Sequence, residues 1–168
     1  NSLRPVLSLA NFGHSILGTK AMSSITKGMH NVLGIPLWTP AMPKAYRVNL
    51  HNLQKVKEQP LKVVYFPSCI NQTMGLPKES PVDQPLVDKM MSLLQKAGYE
   101  VIFPKNMDKL CCGTIWESKG MLDIADRKSA ELEAALWEAS EQGKYPVLCD
   151  QSPCLHRMRE CIKKMKLY

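Results

Sequence analysis

No run of about 18 consecutive apolar residues occurs in the chain, so no segment is expected to cross a membrane as a helix. The opening NSLRPVLSLANFGHSILG is broken by Asn11, Gly13 and His14 and lacks a small-residue cleavage signature, which argues against a secretory leader. Without such a leader a disulfide framework is not expected, and a cysteine pattern points to metal or thiol chemistry. There is no glycine-rich phosphate cradle, no Ser–His–Asp arrangement and no pair of acids with a matching partner, so the common hydrolytic and nucleotide-binding classes drop out. Low-complexity runs and internal repeats are also missing. The formal charge is +7, yet no aromatic platform or reader motif accompanies it, and no nucleic-acid partner is expected. The densest basic run is Arg157, Arg159, Lys163, Lys164 and Lys166, which reads as a solvated helix face or a docking surface.

What remains is a chain of 168 residues with ordinary apolar content, enough for one folded domain and an extra arm. It starts at Asn1 and stays helical in pattern to its end, which reads as an excerpt from a longer polypeptide. Residues 1–60 are expected to form a helical arm and a proline-rich connector. Two helices are expected first. One ends at Gly18, and the other places Met22, Ile25, Met29, Val32 and Leu33 on one face and stops at Gly34. The following GIPLWTPAMPKAYRV holds Pro36, Pro40 and Pro43, so it must be extended, with Leu37, Trp38 and Met42 requiring burial.

Residues 61–168 alternate strand with helix. LKVVYF, EVIF and PVLC suit buried strands. DQPLVDKMMSLLQKAG is a helix capped by Asp83, with Leu86, Val87, Met90, Leu93, Leu94 and Ala97 inward. A long helix is expected over about residues 119–142, with Met121, Ile124, Ala125, Leu132, Ala135, Leu136 and Ala139 inward. The last helix is SPCLHRMRECIKKMKL, with Ser152 as its N-cap and Pro153 in the first position. This alternation predicts an α/β fold: a three-layer, Rossmann-like domain with a short parallel sheet, preceded by the helical arm.

The cysteines fall at corresponding points of that pattern. Cys69 follows strand one, Cys111 and Cys112 follow strand two, Cys149 closes strand three, and Cys154 lies just beyond it. A parallel sheet brings those points to one edge, the carboxyl ends of the strands, where open α/β folds place ligands. Cys154 in a helical first turn favours thiolate, and Gly113 with its loop amides can donate to sulfur. Structural zinc usually uses chelating pairs spaced by two to four residues, whereas vicinal cysteines suit a polynuclear site in which each thiolate meets a different iron. Iron–sulfur chemistry leads, with a metal-free dithiol–disulfide oxidoreductase and a zinc-stabilised interaction module as alternatives. Cys161 reads as a core thiol and His156 as an exposed helix side chain, while His14, His30 and His51 lack metal spacing. Trp116 reads equally as a shield for the site and as plain core.

The segments VVYFPSC, AGYEVIFPKNMDKLCCG, ESKGMLDIADRK and VLCDQSPC together resemble the cysteine-rich CCG domain. That domain occurs in the cysteine-rich subunit of heterodisulfide reductase, in the iron–sulfur subunits of glycolate oxidase and anaerobic glycerol-3-phosphate dehydrogenase, and in a lactate-utilisation protein. The chain is similar in particular to the form at the C-terminus of FAD-linked oxidoreductases of the D-lactate dehydrogenase type, and its segment IPLWTPAMPK resembles the lead-in of those fused enzymes. The resemblance covers about residues 61–165 and implies cluster binding by Cys69, Cys111, Cys112 and Cys154. Gln151 stands where heterodisulfide reductase has a further cysteine, and Cys149 is the available fifth thiol. A four-cysteine [4Fe–4S] cluster and a five-thiolate noncubane cluster both stay open, and aerobic purification could strip either. The resemblance further implies FAD and ferredoxin-like domains elsewhere in the parent chain, a D-2-hydroxy acid as substrate, a quinone or other carrier as electron acceptor, and a cytoplasmic location, peripheral at the inner face of the membrane. It assigns no catalytic residue to this segment.

Overall fold

The computed structural model of the protein describes residues 3–49 and 61–168. The chain is α/β, with a helical N-terminal segment and a short three-stranded parallel sheet. It divides into two compact units: residues 1–47 with 73–85, and residues 48–72 with 86–168. His51 and the end of the connector lie outside the described residues.

In the first unit, α1 (Leu3–Leu33) is helical on both sides of Gly18, whose backbone (φ 75, ψ 172) interrupts it. The two expected helices are thus present, joined at the glycine that separates them. Leu7 and His14 are buried, and His14 is satisfied by Thr19 Oγ1 at 3.0 Å and by an edge contact with Trp38 at 4.6 Å between ring centroids. Arg4 Nε donates to the Tyr46 carbonyl at 2.9 Å, and Ala45 bridges Met74 in antiparallel fashion. Of the connector residues expected to need cover, Trp38 is buried and Met42 half-buried, but Leu37 is exposed. The face carrying Ile25, Met29, Val32 and Leu33 is likewise exposed.

The second unit holds β1 (Leu61–Phe66), α2 (Cys69–Thr73), α3 (Leu86–Lys96), β2 (Tyr99–Ile102), α4 (Thr114–Glu117), α5 (Leu122–Ala139), β3 (Val147–Cys149) and α6 (Ser152–Cys161). Strand order is β2-β1-β3, both pairings parallel, with Val63 opposite Val101 and Phe66 opposite Cys149. The side-chain period of two then sorts the residues by face. Val64, Phe66, Val147 and Cys149 join Leu132 and Leu136 of α5 and Met158 of α6 in the main core. On the opposite face Leu94 of α3 lines a cavity of about 480 Å³ with Val63 and Leu148. Helix, sheet and helix form three layers. The chain leaves the central strand β1 for β2, then crosses back to β3, so the direction of winding reverses beside β1. The switch point therefore lies between the carboxyl ends of β1 and β3.

Three expectations need correction. In α3 the buried pair is Val87 and Met91, while Leu86 and Leu93 are exposed, because contact with β2 selects one i, i+4 stripe. In α5 the buried stripe is Ala125, Ser129, Leu132 and Leu136, and the helix begins at Leu122 rather than near residue 119, after the separate short α4 and a turn. The last helix stops at Cys161, and residues 166–168 run parallel to β3. Val147 N–H donates to Lys166 O at 2.8 Å, Tyr168 N–H to Val147 O at 2.9 Å, and Cys149 N–H to Tyr168 O at 2.8 Å. Without this pairing, the outer edge of β3 would leave its amides unmatched. Ile162, Met165 and Leu167 turn into the core as a result, and Lys163, Lys164 and Lys166 point outward from extended chain. Arg157 leaves the basic run altogether: it is buried and ion-paired to Glu117 at 2.6 Å and to Asp126.

Candidate functional site

All five rim cysteines belong to the second unit and stand at the carboxyl ends of its strands. Cys69 opens α2, three residues beyond the end of β1. Ser68 caps that helix, its Oγ accepting from Asn71 N–H at 3.3 Å. Cys111 and Cys112 occupy the loop between β2 and α4. Cys149 is the last residue of β3. Cys154 lies in the first turn of α6, whose N-cap is Gln151 rather than Ser152, so Cys154 is the third helical residue, and its backbone N–H is among those without a partner inside the helix.

The thiols form a string. Cys111 interacts with both Cys69 and Cys112, Cys112 with Cys154, and Cys154 with Cys149. No disulfide joins them. Cys112 and Cys149 are buried, the other three half-buried. Donation from Cys111 lowers the Cys69 thiol to about 7. Hydrogen bonding with the Cys111 and Cys154 thiols, each with one proton to share between two neighbours, also holds Cys112 well below the ordinary thiol value, and that with Cys154 lowers Cys149. Cys111 and Cys154 are pushed up, each by sitting between two neighbouring thiols. The leading influences on all five are other thiols, burial, backbone amides, the Thr114 hydroxyl and the Asp150 carboxylate, with no lysine or arginine among them. A rim of this kind cannot carry five thiolate charges without an added cation.

Backbone amides do face the sulfurs. Gly113 N–H donates to Cys111 Sγ at 3.4 Å, and amides of Ile70 and Thr114 favour the thiolates of Cys69 and Cys112. The Thr114 hydroxyl lies 3.2 Å from Cys112 Sγ and 3.4 Å from the Pro153 carbonyl, tying the vicinal pair to the start of α6. Asn71 Nδ2, two residues from Cys69, is buried with no hydrogen-bond partner. Cys161 packs against the main core and takes no part in the string, and His156 is exposed beside Glu160, as expected. Among the described residues, no group of three or more His, Cys, Asp or Glu side chains is arranged to hold a metal ion.

No known protein family, curated protein or solved structure matches the chain. The assignment of this rim therefore rests on its own geometry and chemistry.

Three supporting residues were not legible in the sequence. Ser129, buried in α5, donates to the Cys112 carbonyl at 2.7 Å. Arg157 draws α6 to α4 and α5 through Glu117 and Asp126. Asp150 accepts from the Tyr65 hydroxyl and from Ser68 N–H, each at 2.8 Å. Serine in a helical stripe and aspartate after a strand are common, and only the long-range partners give them meaning. Ser129→Ala leaves a buried carbonyl unmatched beside the cysteine pair, and should cost about 1–3 kcal/mol in denaturant unfolding.

Proposed function

We propose that this chain is an iron–sulfur electron-transfer domain of a flavin-linked oxidoreductase. The observation that carries the reading is five thiols brought from three separate strand ends to one edge of the sheet, where they influence one another's ionisation. The donor set is soft and sulfur-rich, which suits iron with sulfide. Adjacent Cys111 and Cys112 suit a polynuclear group better than a single ion. The unpartnered Asn71 amide is a further donor for a sulfur-bearing group at this rim. Cys69, Cys111, Cys112 and Cys154 would hold the cluster, with Cys149 as the fifth thiol. When bound, the cluster supplies one-electron storage and transfer. The chain's own part is to hold the thiolates, to aim the Gly113, Ile70 and Thr114 amides at sulfur, and to bury one side of the site.

In the parent protein, a D-2-hydroxy acid such as lactate or glycolate would be oxidised at FAD in another domain. Electrons would arrive through ferredoxin-like clusters and leave to a quinone or another carrier, at a cytoplasmic site peripheral to the membrane. Among the described residues no helix is long and apolar enough to cross a membrane. A second reading is favoured by the lowered Cys69 thiol, which is largely thiolate just above neutral pH: a dithiol–disulfide oxidoreductase without metal.

Anaerobic reconstitution with iron and sulfide separates the two. The expected result is stoichiometric iron with labile sulfide and an electron paramagnetic resonance signal on reduction. Failure to take up iron, together with disulfide reductase activity that survives chelation, would replace the first reading by the second. Zinc retained through purification would point to the interaction module instead.

A further inference from the structure

The switch point between β1 and β3 is spanned by one side chain. Asp150, next to Cys149, accepts from Tyr65 Oη through Oδ2 and from Ser68 N–H through Oδ1, each at 2.8 Å. Its partners are 85 and 82 residues away in sequence, both fully buried, and Ser68 immediately precedes Cys69. The carboxylate thus ties the strand end that carries Cys149 to the turn that carries Cys69. Among the described residues no cation pairs with it. This half-buried carboxylate, one residue from a rim thiol, is held by two neutral donors, so its grip and its charge both bear on the rim.

We propose that Asp150 is a positioning residue of the thiol rim. Its clamp on Tyr65 and Ser68 holds Cys69 at a set span from Cys149 and Cys154, and its charge acts on whatever the rim binds. This rests on the cluster reading for the second effect, but the clamp itself does not need a metal. Two consequences differ in kind. Loss of the grip lets the Cys69 turn move away from β3, and loss of the charge alone makes an added electron easier to accept.

The test uses Asp150→Ala, Asp150→Asn and Tyr65→Phe beside the unaltered chain, with circular dichroism as the check on folding. The asparagine keeps an acceptor for Ser68 N–H, and its amide can donate to Tyr65 Oη, so it retains the clamp without the charge. After anaerobic reconstitution, Asp150→Ala should bind iron about 10–100-fold more weakly, the usual effect of losing an outer hydrogen-bonding partner. Asp150→Asn should load fully but show a raised reduction potential, which a purely structural role would not produce. Equal loading and equal potential in all variants would overturn the proposal. Should Asp150→Ala fail to fold, Asp150→Asn and Tyr65→Phe decide the matter by potential and by partial loss of iron affinity. Should the unaltered chain take no iron, the cluster reading fails by itself, and alkylation of Cys69 in the metal-free chain tests the clamp. Asp150→Ala should then speed that reaction several-fold while Asp150→Asn does not, and equal rates would overturn the clamp too.

Discussion

Cys112→Ser is expected to remove iron–sulfur binding almost completely. Cys112 is the middle of the string, its ionisation governed by Cys111 on one side and Cys154 on the other, and it is 4% exposed. Every route from the Cys69 side of the rim to the α6 side passes through it. A serine hydroxyl is shorter, harder and far less acidic than a thiol, so it replaces thiolate poorly at soft iron. The fold should persist, because the Thr114 hydroxyl offers the new side chain a hydrogen-bond partner. Iron and labile sulfide per chain after reconstitution give the direct measure. Cys161→Ser is the matched control, since Cys161 packs against the core outside the string and its loss should leave iron content unchanged. Full iron content in the Cys112 variant would remove Cys112 from the ligand set.

The largest expected loss of stability is at the neighbouring glycine. Gly113 has φ 96, a conformation that side chains with a Cβ rarely adopt. A Cβ built there would lie 2.5 Å from the Ala125 carbonyl oxygen and 3.0 Å from Ser129 Oγ. Neither contact is the free end of a flexible chain, and Ser129 is already committed to the Cys112 carbonyl. Backbone strain and overpacking together should cost Gly113→Ala roughly 2–5 kcal/mol. For a chain of this size the melting temperature should fall by roughly 5–15 °C. The vicinal cysteines must also shift, so iron loading should fall with stability. A variant that melts within a degree of the unaltered chain would show that the loop relaxes freely. The glycine after the cysteine pair thus has a reason independent of any metal: the loop must pass against the backbone of α5 to present both thiols.

Much of this was legible from period and punctuation. The three apolar runs became β1, β2 and β3, and Gly18 and Gly34 bounded the two helical stretches of the arm. What patterning missed shares one cause. Met91 rather than Met90, Ser129 within a helical stripe, and the exposed Ile25, Met29 and Leu37 all depend on what packs opposite, which a single segment does not encode. The last seven residues read as helix, yet a strand edge with unmatched amides drew residues 166–168 into extended pairing.

The sequence by itself determined the strand–helix alternation, and with it the edge to which Cys69, Cys111, Cys112, Cys149 and Cys154 must come, because parallel strands joined by helices all deliver their following loops to one side. Only the tertiary structure decided which of these thiols influence one another, that Asp150 and Ser129 fasten their loops, and that Arg157 is buried rather than solvated. Those are contacts between residues up to 85 positions apart. They exist only once burial has chosen which faces meet.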